Sequence, residues 1–331
     1  MSTESIEQMK DRARGAIWGQ LVADAACLGT HWIYDLDAMR SAFPDLQAFE
    51  TPREGHYHAG KKPGDQTHYG EGARVMLESV SRLGRFDAAD FGAKFMSFFG
   101  TPDYRGYLDK ATRGTLENYR EFMAQQAVHP GESFDYQQGA DDDQLATASR
   151  LAPVVVAHWE SPDLPEIVEQ ATRVCQNNGR AVATMKANAL ILKAALEGRD
   201  LEVAVEEIAA RMPEIDPEFG PDVRDEMRAA VADTRSVLEA TLDFGQSCPL
   251  PHSFPAALHA ALKHRHSFEE AVLSTLRAGG DNAGRAAMLG AWVGACVGEN
   301  GIPHEWRRRL ADSETIRGQV ETLIGKTFPS A

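Results

Sequence analysis

The sequence is short of the features that mark several large protein classes. Its 331 residues hold four cysteines, Cys27, Cys175, Cys248 and Cys296, scattered and with no Cys-x-x-Cys pair. Cys27 and Cys296 fall in apolar helical patterns and read as small buried hydrophobes, so the expectation is a reducing, cytoplasmic setting. Positive charge is also scarce: 34 Lys and Arg face 49 Asp and Glu, a formal net charge of −15. That balance excludes nucleic acid and acidic membrane surfaces as main partners, although local N–H groups can still bind a small phosphorylated ligand. No long apolar run is present. The stretch 286–298 is too short and too rich in glycine for a membrane span, and Met1 to Lys10 is polar, without the apolar core of a signal peptide. No alternating strand pattern persists, and Val154-Val155-Val156 lies inside a helical pattern. There is no low-complexity linker and no repeat of solenoid period. These absences leave one all-α domain over 1–331, built from roughly a dozen or more helices, and with 43% hydrophobic residues it can bury a substantial core.

What is present is a pair of helices lined with small residues. Gly279-Gly280-Asp281-Asn282-Ala283-Gly284-Arg285 opens a helix on which Ala286, Gly290, Gly294 and Gly298 form one row and Ala283, Ala287, Ala291 and Ala295 the next. Residues four apart share a helical face. Glycine in a helix costs up to about 1 kcal/mol against alanine, so close packing has to offset it. A second such helix, residues 5–29, carries Gly15, Gly19 and Ala23, and the two can pack tightly together. Asp281 is either a helix cap or part of an anion-binding helix start. Asp24, in an apolar segment, needs a partner, and it is either a buried hydrogen-bonding group or a site residue.

Further polar positions follow along the chain. His31-Trp32-Ile33-Tyr34-Asp35 can wall a pocket or pack in the core. Residues 50–68 form a long loop containing His56, Tyr57 and His58, whose spacing matches no metal-ligand pattern, and loops of this length are often functional. Helices are expected from about Thr67 to Leu83, from Asp87 to Phe99 behind an Asp87-x-x-Asp90 capping pattern, and onward to about Gln126. Residues 127–140 are polar and rich in turns. Asp141-Asp142-Asp143 is expected to open a helix running to Trp159, as solvated charge on the helix dipole or as a clustered acidic site. Helices are expected at 163–175, 180–197, 200–211, 219–243, 267–278, 303–311 and 314–326, with 244–255 as a connection.

Three stretches, in order, resemble the ADP-ribosylglycohydrolase family. Gly15-Ala16-Ile17-Trp18-Gly19-Gln20-Leu21-Val22-Ala23-Asp24-Ala25 is similar to its opening Gly-x-x-x-Gly-x-x-x-Gly-Asp-Ala helix, with Ala23 for the last glycine. Ser149-Arg150-Leu151-Ala152-Pro153 is similar to Met-Arg-x-x-Pro, and Gly279 to Gly284 stands where the family has Gly-Gly-Asp-Thr-Asp-Thr. His31 to Asp35 and Gly139 to Gln144 resemble the branch that holds the jellyfish J-type crystallins and their bacterial relatives. The resemblance implies an orthogonal helical bundle. In ordinary members a Thr-Asp-Asp-Thr motif and the Asp-Thr-Asp-Thr motif hold two Mg²⁺ ions beside ADP-ribose. Here the first reads Thr67-His68-Tyr69-Gly70, and in the second Ala283 and Gly284 replace Asp and Thr. Thr67 and Asp281 are thus a partial match to the metal ligands. Mg²⁺ requires near-octahedral oxygen ligation, so weak or absent Mg²⁺ dependence is expected, with no organic cofactor.

The reading that follows is a hydrolase of a glycosidic bond in an ADP-ribosyl or other ribosyl-containing small molecule or adduct. Glu71, Asp142 and Asp143 are the candidate catalytic carboxylates and His68 a proton shuttle with a pKa near neutrality. Asp24, His31, Trp32, Tyr34, Thr67, Tyr69, Asp141, Asn282 and Arg285 are the candidate substrate-binding residues. Asp281, Asp142 and Asp143 are expected to share one cleft with the helix start at Thr67 to Glu71. The competing readings are a catalytically inactive nucleotide-binding or crystallin-like structural member, and a single-metal site rebuilt from Asp281, Asn282 and the Asp cluster.

Overall fold

The computed structural model describes residues 3–126 and 130–329. The first helix, α1 (Thr3–Cys27), is the axis of the molecule, and a 3-10 turn, residues 28–30, ends it. The chain continues through α2 (Leu36–Ala42), α3 (His68–Leu83), α4 (Ala88–Phe99), α5 (Lys110–Gln126), α6 (Ala152–Ala157), α7 (Leu164–Arg173) and α8 (Gly179–Leu196). It then forms α9 (Leu201–Ile215), α10 (Gly220–Ala232), α11 (Val237–Phe244), α12 (Leu250–Lys263), α13 (Phe268–Arg277), α14 (Asn282–Val297), α15 (His304–Arg309) and α16 (Ser313–Thr327). Among the described residues there is no strand, only two isolated bridges, Ile33 with Gly280 and Ala140 with Gln176. No described helix is long and apolar enough to cross a membrane.

The glycine rows of α1 and α14 face each other. A Cβ on Gly15 would collide with the carbonyl of Gly294, and one on Gly19 with the carbonyl of Gly290; the reverse substitutions meet Gly15 and Gly19 in the same way. Side chains are absent there because backbone occupies the space. The tight seam, as the sequence predicts, buries almost all of α14, including Trp292, whose indole N–H donates to Asn188 Oδ1 at 2.8 Å. Trp18 on α1 is buried in the same core. Burying large apolar side chains is worth about 1.5–3 kcal/mol each, enough to outweigh the glycines' propensity cost.

Several expected elements differ. Residues 141–147 are not helical; a 3-10 turn, residues 148–150, precedes the short α6. There the backbone turns back on itself because Asp142 Oδ1 accepts the N–H of Gln144 at 2.9 Å, a local bond that competes with helix. The expected helix 219–243 is two helices, since Ser236 and Glu239 form a reciprocal capping box that starts α11. Residues 250–255, expected as a connection, open α12. Pro251 lies in its first turn, where a missing N–H does no harm. The Asp87 cap accepts from Asp90 N at 3.0 Å, but the Asp90 carboxylate turns to Ser79 and Arg82 instead of completing a box. Of the turn-rich expectation for 127–140, residues 127–129 lie outside the described residues.

Candidate functional site

The starts of α3 and α14 meet in the interior. Thr67 caps α3 by accepting from Tyr69 N at 3.1 Å, and Asp281 caps α14 by accepting from Gly284 N at 3.3 Å. Tyr69, one residue into α3, donates its hydroxyl to Asp281 Oδ2 at 2.9 Å, joining the two helix starts. Gly279 and Gly280 lead into this point with φ of +68° and +64°, a left-handed pair that glycine adopts freely. Their backbone pairs with the 31–35 segment: Trp32 N donates to Gly280 O at 2.7 Å and Gly280 N to Ile33 O at 2.8 Å. Trp32 itself takes φ of +62°, strained backbone for a bulky residue, and this brings its indole N–H to Asp281 Oδ2 at 3.2 Å.

Asp24, on α1, completes the inner ring. Its Oδ2 accepts from Thr67 N at 2.8 Å and its Oδ1 from the Thr67 hydroxyl at 2.5 Å. Burial raises its pKa from 3.8 to about 7, against the pull of those two bonds. Burial likewise raises Asp281, over the lowering effect of Cys248, Tyr69, Arg285 and Trp32. A dipole supplies about 0.3–1 kcal/mol at an exposed helix end, and complete desolvation outweighs it.

Arg285 and Asn282 are buried and bonded to backbone. Arg285 donates to Gln246 O at 2.8 Å and to Gly279 O, and Asn282 donates to Thr30 Oγ1 at 2.9 Å and Leu276 O at 3.1 Å. Both shape the Gly279 turn. Tyr34 stands at the surface, 45% exposed.

The triple aspartate is split. Asp141 is exposed and holds Asn178 Nδ2 at 2.7 Å. Asp143 is half-buried, its carbonyl accepting from Leu250 N at 2.8 Å. Asp142 points inward: Oδ1 accepts from Gln176 Nε2 at 3.1 Å, Oδ2 has no hydrogen-bond partner in the protein, and Lys110 Nζ lies 3.7 Å away. Burial raises the Asp142 pKa, and the neighbouring Asp109 carboxylate adds to the effect. Asp109 Oδ2 is also 3.5 Å from His68 Nε2, which links this segment to the start of α3.

A cavity of about 810 Å³ lies on the outer side of α3, between the 57–66 loop, the 103–107 loop and α16. Of the predicted catalytic residues only Glu71 stands on its wall, where Lys61 Nζ (2.5 Å) and the Tyr104 hydroxyl (2.6 Å) hold its carboxylate. His58 and Tyr107 separate this cavity from the interior ring.

Sequence reasoning missed one cluster. His31, His58 and His68 each bring a ring nitrogen within 4.8 Å of the others, and all three are buried. No periodicity links them, because a long loop brings them together. The near-neutral shuttle expected of His68 does not hold either. Burial, then His58, Arg150 and Lys61, pushes its pKa well below 6.5, so the ring is neutral at physiological pH.

A two-ion Mg²⁺ site does not fit this chain. A Cβ at Gly284 would lie 2.7 Å from Leu145 Cδ1 and 2.9 Å from both Asp281 Oδ1 and Tyr69 Cε2, so that space is already filled, and two of its three nearest neighbours are carbon. The Thr67 hydroxyl donates to Asp24, and Asp281 already accepts from Tyr69 and Trp32. No oxygen-rich octahedral cage is left.

The chain is an all-helical bundle held by an α1–α14 glycine seam, with acidic residues at the buried starts of two helices. The sequence profile of the ADP-ribosylglycohydrolase family matches residues 5–330, and the chain belongs to that family. Crystallin J1A of Tripedalia cystophora is 31% identical over 329 residues, covering 96% of this chain and 98% of its own length. The ADP-ribosylarginine hydrolase Tri1 of Pseudomonas putida is 26% identical, covering 97% and 80%. A solved structure titled ADP-ribosylglycohydrolase-related protein complex shares the fold with a TM-score of 0.70 at 24% identity, covering 97% and 99%.

Proposed function

We propose that this protein is a glycohydrolase that cleaves the bond between a ribosyl group and its leaving group, in an ADP-ribosyl adduct or another ribosyl-containing small molecule. The observation that carries this reading is the set of buried carboxyl groups, Asp24, Asp142 and Asp281, with pKa values raised by burial around the starts of α3 and α14, beside a cavity with Glu71 on its wall. Buried acids are costly to stability and cluster at functional sites. Glycoside cleavage requires a protonated acid for the leaving group and a carboxylate to position water against oxocarbenium-like charge. In our assignment Asp142, with its free Oδ2 and raised pKa, is the acid, inside the His58–Tyr107 partition, and Glu71, held by Lys61 and Tyr104, is the base on the cavity side, so a substrate has to displace that partition to meet both. Asp143 orients the Asp142 turn, and Asp24, Thr67, Tyr69, Trp32 and Asp281 hold the frame. His31, Asn282 and Arg285 are buried behind that frame, and Tyr34 and Asp141 stand at the surface outside the cavity lining.

Family relationship supports the glycohydrolase class, and the name of the relative ADP-ribosylarginine hydrolase Tri1 makes ADP-ribosylarginine the first substrate to try. We place the protein in a reducing compartment, since its cysteines are free thiols and Cys27 and Cys175 are buried, and we treat 1–331 as one domain.

A second reading has its own observation. Trp32, Tyr57 and Tyr107 pack edge to face, with ring centroids 4.7–5.5 Å apart, and they cover His58 and His68. This aromatic cover over the interior ring suits a non-catalytic member, as the name of Crystallin J1A suggests for that relative.

The test is turnover of ADP-ribosylarginine and of simple ribosides, followed by chromatographic detection of the freed sugar. Wild type converting substrate, with Asp142→Asn and Glu71→Gln each slowed at least 100-fold and unchanged in binding, supports the assignment. The order of magnitude is that of one general acid or base. Full turnover in both variants removes them from the mechanism.

A further inference from the structure

We propose that His31, His58 and His68 form a binding site for a single divalent transition-metal ion of the zinc class, distinct from the Mg²⁺ chemistry of the family. Three observations carry it.

The first is the unmet hydrogen bonding. All six ring nitrogens of the trio are buried and have no hydrogen-bond partner in the protein. A buried polar atom left unpaired costs about 1–3 kcal/mol, and native proteins keep such atoms few. Three adjacent histidines with no partner are explained if an ion between them takes one nitrogen from each.

The second is geometry. One nitrogen of each ring lies within 4.8 Å of the other two. Ligand nitrogens around a tetrahedral ion at 2.0–2.1 Å are about 3.3 Å apart, so the rings close on an ion by moving at most about 1.5 Å. Three protein nitrogens leave a fourth position open, the arrangement of a reactive rather than a purely structural site. His58 stands on the wall of the 810 Å³ cavity, which gives the ion a way in.

The third is the supporting shell. His56 Nδ1 accepts the backbone N–H of His58 at 3.0 Å. That leaves the His56 proton on Nε2, which donates to the carbonyl of His31 at 2.6 Å. His56 thus ties the backbones of two ligand residues together. Carboxylates stand beside the other two: Asp281 Oδ1 lies 3.7 Å from His31 Nδ1, and Asp109 Oδ2 lies 3.5 Å from His68 Nε2. Carboxylates next to ligand imidazoles are the usual outer partners of such sites. Imidazole nitrogen suits Zn²⁺, Co²⁺, Ni²⁺ or Fe²⁺, whereas Mg²⁺ takes oxygen.

The test uses the full chain, free of any affinity tag and stripped with a chelator. Titration with Co²⁺, read in the visible spectrum, is expected to show one ion per chain with the bands of a four- or five-coordinate site. Zn²⁺ should displace it and millimolar Mg²⁺ should not. His58→Ala, checked for folding by circular dichroism, should weaken binding by more than the roughly 10–100-fold that loss of an outer partner causes. His304→Ala, at an exposed histidine, should change nothing. X-ray absorption on the wild type with Zn²⁺ gives a readout that needs no variant: three imidazole nitrogens at 2.0–2.1 Å are expected. No ion retained at micromolar concentration by folded wild type, equal affinity in a folded His58→Ala, or a shell of oxygen alone overturns the proposal. None of these measurements depends on hydrolase activity.

Discussion

Asp24→Asn turns the buried acid at the start of α3 into a pH-dependent difference in stability. The folded-state pKa of Asp24 is raised to about 7, against an ordinary 3.8. An acid raised on folding is a burden when ionised. Below pH 3.8 both states hold the proton and the burden is absent; it grows as pH rises through the window from 3.8 to 7 and is constant above it. At 1.36 kcal/mol per unit, it is about 4 kcal/mol at pH 8 and about 1.7 kcal/mol at pH 5. Asparagine removes it. The substitution also costs an acceptor for Thr67 N–H, about 1–3 kcal/mol, but this loss does not vary with pH. The difference between variant and wild type should therefore move by about 2.6 kcal/mol in favour of asparagine between pH 5 and pH 8. At about 2.1 cal/mol/K of unfolding entropy per residue, that is a shift of about 4 °C in the gap between their melting temperatures. Differential scanning fluorimetry of the two proteins side by side reads it, and taking the difference cancels every other titrating group. A gap that is the same at both pH values would refute the raised pKa of Asp24.

Other outcomes follow from the same geometry. Gly19→Val should abolish folding or destabilise it by more than 3 kcal/mol, because the added carbons meet the Gly290 carbonyl; an unchanged melt would contradict the seam. Gly318→Ala, in the interior of α16 with open space around it, should raise stability by about 0.5–1 kcal/mol, measurable by chemical denaturation, and a loss would argue against a helix there. Calorimetry with Mg²⁺ should show no pair of tightly bound ions; two per chain would overturn the reading of Gly284 and Tyr69. Tyr69→Phe should destabilise by about 1.5–3 kcal/mol as Asp281 loses a donor, and a neutral result would mean that bond carries no weight.

How much of this was legible in the sequence depends on how local each cause is. The α1–α14 seam was readable because close backbone packing demands small residues at a fixed spacing, as Gly15, Gly19, Gly290 and Gly294 have. The caps at Thr67, Asp87 and Asp281 were readable because a cap acts within three residues. The Ser236-x-x-Glu239 box was equally local and went unread, so the break between α10 and α11 was missed. Residues 244–255 read as a connection, whereas Pro251 falls in the first turn of α12 and Pro255 inside it. The histidine trio had no local signature. Its members lie far apart along the chain, and the 54–60 turns bring them together through contacts such as His56 to His31 that no spacing rule encodes. The acidic run misled in the opposite sense: three like residues in a row have three different environments, and only Asp142 is buried.

In our proposal the ring around Asp142, Asp281 and the start of α3 belongs to a working ribosyl hydrolase. Proton NMR of ADP-ribosylarginine mixed with stoichiometric wild-type protein tests it most directly, because the anomeric proton reports cleavage without any coupled reaction. The substrate's anomeric signal should be replaced by that of free ADP-ribose, or, if arginine is the wrong leaving group, another ribosyl conjugate in the same assay should be cleaved. Asp142→Asn should leave the signal standing. Substrates of every ribosyl class left intact by folded wild-type protein would contradict the proposal and favour the non-catalytic reading.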